Sequence, residues 1–391
     1  MVLPYFGMVD AHKRSMGTVW GMLLFSALCL FQLLLWEATN TRPDMRCEMF
    51  VDSARNVCYR KAFEAFTEHR GPEYALHTLR GLVARGILKR EYCHALTHSI
   101  GETAYRKYGA VDEALARGDL LCFAGYFHGV FSAALKGTGG IGVQMYNACD
   151  RYSFSSERFR RYQCVHGLGH GFTVGRDYDV FAALADCDAL SGEWDRVYCG
   201  GGALMENVWP QHYRGGGNPP FLRADAPLYP CDVIVGRHVF ACYQNVPRGI
   251  LKNGGGVVDA FRACESVPAL LLRTFCYRCV GNIVAEDVAA YSVPTSLQFC
   301  MKGSVEARGA CIGTVAKAFA MNEASVVAGV PVCQRSPAEF RGECFMRLGQ
   351  LVPSLHGGEE NQWVSYCGEL ADAAYLPDCL QGVSQTQQER F

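Results

Sequence analysis

Residues 257–287 read VVDAFRACESVPALLLRTFCYRCVGNIVAED, and the fold follows from how this stretch divides. VVDAFRAC carries apolar residues at helical spacing, ESVP breaks the pattern, and LLLRTFCYRCVGNIVAED resumes it. The stretch is therefore a helical hairpin, with Cys264 late in its first helix and Cys276 early in its second. A bridge between them clamps the hairpin at its turn. Closing so short a loop stabilises by roughly 2–3 kcal/mol in the chain-entropy account. VFAALADC, a break near SGEW, and DRVYCGGGALMENV repeat the plan over 180–208.

The same cysteine spacing runs through the rest of the chain. Ten residues separate Cys47 from Cys58, Cys231 from Cys242, Cys300 from Cys311, and Cys333 from Cys344. Eleven separate Cys187 from Cys199, Cys264 from Cys276, and Cys367 from Cys379, and fourteen separate Cys149 from Cys164. The second members fall at 164, 199, 242, 276, 311, 344 and 379, in steps of 35, 43, 34, 35, 33 and 35. A period near 34 is the mark of stacked supersecondary units. Twenty cysteines in 391 residues point to disulfides formed in an oxidising compartment. The pairing of Cys93 and Cys122 stays open, since they define either a longer hairpin or two half-pairs. Cys279 is left over.

The pattern resembles the tetratricopeptide and Sel1-like class of α-solenoids, whose period it shares over roughly 145–385 and, less well, over 47–130. The resemblance is one of architecture, because the tetratricopeptide pattern of Trp, Leu-Gly, Tyr and Pro is not present. It implies an all-α stack of about eight or nine disulfide-clamped hairpins. The alternative is a closed α/α toroid, which would put the inner faces in a central cavity.

Before the repeats, residues 17–36 form an uncharged run of twenty, long enough at 1.5 Å per residue to span a bilayer. Lys13 and Arg14 precede it, and Trp20 and Trp36 sit near its ends as interfacial anchors. The expected organisation is a cytoplasmic segment over 1–16, a signal anchor over 17–36, with a cleaved signal peptide as the alternative, and an extracytoplasmic domain. That domain holds hairpins over 45–212, a Gly/Pro-rich loop over 213–230, hairpins over 231–385, and a frayed tail over 386–391. A formal net charge of −1 gives no bulk attraction to nucleic acid. There is no P-loop, dinucleotide fingerprint, G-x-S-x-G or H-E-x-x-H. Cys276-Tyr277-Arg278-Cys279 matches C-x-x-C, but Cys276 already has Cys264 as its partner in register.

Chemistry concentrates in one register position. Cys122 to Gly129 and Cys164 to Gly171 both fit C-x-x-G-x-x-H-G. Six places beyond the second cysteine, successive units carry His128, His170, Met205, Arg248, Asn282, Lys317, Gln350 and Gln385. His98 follows Cys93 by five, with Glu102 one turn on, and Glu206 stands beside the same column. His166 and His170 are four apart, as are His94 and His98, so each pair shares a helical face. His98, Glu102, His128, His166, His170 and Glu206 are accordingly the candidate ligands of a transition metal, with iron, zinc or manganese suiting such a set. With an open coordination position such an ion supports hydrolase or oxygenase chemistry. His94 reads as an exposed residue, and His69, His77, His212, His238 and His356 as ordinary surface or core ones. Three readings compete. One is structural: the glycine three places after the cysteine marks a helix crossing, and the histidine at six bonds a neighbouring loop carbonyl at a repeat junction. The others are a metal-free ligand pocket, and a scaffold that grips a peptide or protein on its concave face through Arg248, Lys317 and Gln350.

Overall fold

A computed structural model describes residues 47, 50, 52–89, 92–136, 142–210, 218–356 and 360–388. The expected anchor at 17–36, its cytoplasmic flank, the GTGG run at 137–140 and His212 lie outside the described residues. No helix among the described residues is long and apolar enough to cross a membrane.

Every regular element described is helical. The principal helices are α1 (Asp52–Arg70), α2 (Pro72–Ala84), α3 (Cys93–Tyr108), α4 (Val111–Ala116), α5 (Leu121–Leu135), α6 (Arg158–Gly175) and α7 (Val180–Asp188). They continue with α8 (Glu193–Val208), α9 (Val239–Lys252), α10 (Val257–Glu265), α11 (Leu270–Ile283) and α12 (Val293–Cys300). The last are α13 (Val305–Asn322), α14 (Val330–Arg335), α15 (Ala338–Gly349), α16 (Glu360–Leu370) and α17 (Leu376–Gln388).

The hairpin of 257–287 shows why these segments fold as they do. In α10 the buried residues are Val257, Ala260, Phe261 and Cys264, one stripe at positions i, i+3, i+4 and i+7. Asp259 accepts from the Gly256 amide at 2.9 Å and satisfies one of the helix's free N-terminal donors. α11 buries Cys276, Tyr277, Cys279, Val280, Gly281 and Ile283, a wider surface, and it is the inner helix of the pair. The helical pattern expected to run to Asp287 does so through a π-turn at Val284–Val288.

The chain divides into two compact units, Met1–Ala62 and Phe63–Phe391. The first contains the Cys47–Cys58 bridge. In the second, Cys149–Cys164, Cys187–Cys199, Cys231–Cys242, Cys264–Cys276, Cys300–Cys311, Cys333–Cys344 and Cys367–Cys379 close seven more hairpin turns. Cys93 pairs with Cys122, which joins the starts of α3 and α5 directly. Cys279 is the free cysteine among the described residues, and it is buried.

Within the second unit each inner helix packs on the next, in the order α3, α5, α6, α8, α9, α11, α13, α15, α17. The neighbours approach closely because glycines line the crossings. A Cβ on Gly169 would strike the Cys199 carbonyl, and one on Gly202 would strike that of His166. Gly101 and Gly129 stand in the same relation between α3 and α5, and Gly349 and Gly382 between α15 and α17. Gly202 and Gly382, three places after the second cysteine, and Gly169 and Gly349, five places after it, are thus helix-crossing positions.

Contacts also run between distant hairpins. α5 packs on α13, and Phe123 stacks on Tyr291 with ring centroids 6.2 Å apart. Arg158 donates to the Thr386 carbonyl at 3.4 Å. A stack touching only its neighbours has no such contacts. These contacts hold the C-terminal tail, which is helical to Gln388 with Thr386 buried. In the column six places after the cysteine, His128, His170 and Arg248 are buried, at most 3% exposed, while Met205, Asn282, Lys317, Gln350 and Gln385 are half-buried.

Candidate metal centre

Three inner helices bring five imidazoles together. α3 supplies His94 and His98 from successive turns of one face, α5 supplies His128, and α6 supplies His166 and His170. Two trios form, His94–His98–His128 and His128–His166–His170, each with its ligand nitrogens within 4.8 Å of one another. His128 belongs to both. Its ring lies 5.0 Å from that of His98, 5.3 Å from that of His166, and is stacked at 4.4 Å on His170. Glycine makes room for the rings, since a Cβ on Gly125 would lie 2.9 Å from His98 Cδ2.

The outward nitrogens fix which way the lone pairs face. His94 Nδ1 lies 2.8 Å from the Cys122 carbonyl, which only accepts, so Nδ1 carries the proton and Nε2 is bare. His170 Nδ1 donates to Glu206 Oε2 at 2.8 Å, and Tyr178 donates to the other oxygen at 2.8 Å. His166 hydrogen-bonds the Tyr198 backbone, with its Nδ1 edge toward α8. The inward nitrogens then approach each other. His94 Nε2 to His98 Nε2 is 3.1 Å, His98 Nε2 to His128 Nδ1 is 3.2 Å, and His166 Nε2 to His170 Nε2 is 3.3 Å. His166 and His170, with both outer nitrogens engaged, face each other with unprotonated Nε2 atoms, and two such lone pairs at 3.3 Å repel unless a cation sits between them. Tetrahedral coordination at 2.0–2.1 Å sets neighbouring nitrogens about 3.4 Å apart, close to what is found.

Electrostatics favour the neutral form of His94, His128 and His166. Burial pushes the His94 pKa down to about 4, against the Cys122 carbonyl, which opposes it, and with His170 and Arg248 adding repulsion. Burial also holds His128 well below its usual value, and the four surrounding imidazoles add to the effect. His166 is lowered in the same way, burial first and His170 next. A neutral imidazole is the form that binds metal.

Of the residues expected at the site, His98, His128, His166 and His170 are in the trios. Glu206 is fully buried behind His170 and orients that ring, the arrangement that fixes tautomer and basicity in metal-binding histidines. Glu102 stands outside both trios, 3.7 Å from Arg106. His94, expected to be exposed, is half-buried and belongs to the first trio; its i, i+4 spacing to His98 was the available signal. Tyr178 had none, because it reaches Glu206 from the turn after α6 with φ 66°. Cys122, Phe123 and Ala124 also have positive φ, between 50° and 58°. That left-handed turn costs non-glycine residues on the order of 1–3 kcal/mol each, and it presents the Cys122 carbonyl to His94.

His238 lies apart, buried and 3.0 Å from Asp188. His69, His77 and His356 are exposed. Arg248 is buried and pairs with Glu286 at 2.6 Å. Burial lifts the Glu286 carboxyl to about 7 against the pull of Arg248, and lifts the Cys279 thiol to about 12. So high a pKa, with Cys276 already bridged, leaves Cys276-Tyr277-Arg278-Cys279 without a reactive thiolate.

No family profile, curated protein or solved structure matches the chain.

Proposed function

We propose that the protein is an extracytoplasmic, disulfide-clamped helical repeat protein that holds a transition metal in its five-histidine centre, anchored by the segment at 17–36. The observation that carries this reading is the convergence of five imidazoles with nitrogens 3.1–3.3 Å apart, the outer nitrogens of His94 and His170 being committed to a carbonyl and a carboxylate. The disulfide content supports the oxidising compartment. Contacts between α5 and α13 favour hairpins wound back on themselves, the toroidal form of the repeat, over an open stack. An imidazole-only donor set suits zinc, copper or iron better than manganese, which prefers oxygen ligands. An ion held by three imidazoles keeps a coordination position for water or dioxygen, and hydrolase or oxygenase chemistry would take place there.

The scaffold reading has less support. Arg248 is buried against Glu286, and Gln350 is hydrogen-bonded to Gln385 at 2.8 Å. The test is elemental analysis of the full chain, expressed into an oxidising compartment and purified without a histidine tag. At least one ion per chain is expected, and His170→Ala should lower the content while helicity is kept. A metal-free protein that takes up no zinc, copper or iron overturns the proposal.

A further inference from the structure

The two trios are joined by a single residue, and that sharing has a chemical consequence. His128 Nδ1 faces His98 Nε2 at 3.2 Å and is committed to the α3 side. Its Nε2 is buried and has no hydrogen-bond partner among the described residues. The Cδ2–Nε2 edge faces α6, since a Cβ on Gly167 would lie 3.1 Å from His128 Cδ2. α6 carries His166 and His170, the other two members of the second trio, with their Nε2 atoms 3.3 Å apart. One ring therefore offers one nitrogen to each of two sets of donors.

We infer that His128 is a bridging ligand and that the centre holds two metal ions, one with His94 and His98 and the other with His166 and His170. This rests on the metal-binding reading above. When both ring nitrogens donate, the single N–H proton of neutral His128 is released to solvent as the second ion binds. The trios differ in their outer partners, a backbone carbonyl behind His94 and the Glu206 carboxylate behind His170. A carboxylate makes an imidazole the stronger donor, so the His166–His170 side fills first.

The experiment titrates the chelator-stripped full chain with zinc(II) and with copper(II), counts bound ions after desalting, and records the electron paramagnetic resonance of the copper form. Two ions per chain are expected, with a copper signal below half the analysed copper, because spins joined through one imidazole couple. The His94→Asn/His98→Asn and His166→Asn/His170→Asn chains should each keep one ion. His128→Asn should abolish the coupling. One ion per chain in the wild type overturns the bridge and leaves the metal-binding proposal standing. Two ions with uncoupled spins also overturn the bridge. So does loss of all metal in both double variants with helicity and disulfides intact. No metal at all overturns both proposals.

Discussion

His170, Glu206 and Tyr178 form a chain of hydrogen bonds, each 2.8 Å long, that ends on a fully buried carboxylate. Such outer partners are worth about 10–100-fold in metal affinity. Glu206→Gln is therefore expected to weaken zinc binding by about that factor, with Tyr178→Phe at the lower end, as read by competition with a chelating dye. The lowered imidazole pKa values fix a pH dependence. His94 titrates near 4 when folded and about 6.5 when unfolded, so the unfolded chain binds more protons between those values. Acidification through that window removes stability. Glu286, lifted to about 7, acts in the opposite sense, because its folded form binds more protons above about 4.5. The two are separated by comparison with His94→Gln. Urea unfolding of the metal-free proteins should show the wild type losing more stability than the variant between pH 7 and pH 4.5. Equal losses would argue against a neutral His94 in the folded protein.

At the scale of elements, the crossing glycines and the disulfides fix helix positions. Gly202 lets α8 lie on the His166 carbonyl of α6, and Glu206 stands one turn further along α8. Gly202→Ala forces the helices apart, a kind of overpacking that costs about 1–3 kcal/mol. It should also lower metal content, since it moves Glu206 away from His170. A variant that binds metal normally would show that the crossing does not set the site. The bridges act differently. Cys300→Ala/Cys311→Ala opens a loop of eleven residues' separation and should cost roughly 2–3 kcal/mol in urea unfolding while leaving the histidine centre loaded.

At the scale of the molecule, the unit from Phe63 to Phe391 closes its interior with contacts between hairpins distant in sequence. Arg158 meets Thr386, Phe123 meets Tyr291, and Cys279 is sealed within. Two outcomes follow. Mass mapping without reduction should recover nine bridges, including Cys93–Cys122. Cys279 should resist alkylation until the chain is unfolded, because burial raises its thiol to about 12 and blocks access. Rapid native labelling at Cys279 would show that the interior opens.

The sequence by itself determined the hairpin unit, its period, eight of the bridges and the register that makes His128 and His170 equivalent. These are local properties, set by helical periodicity and by cysteines close along the chain. It also placed His98 and His166 beside them, through i, i+4 spacing. Only the tertiary structure decided that Cys93 meets Cys122, that His94 turns inward, and that Glu206 stands behind His170 while Glu102 stays outside. It alone showed that the histidine column is buried. Each of those depends on how one helix crosses another and on contacts between distant hairpins, and neither the period nor the composition of a single unit encodes them.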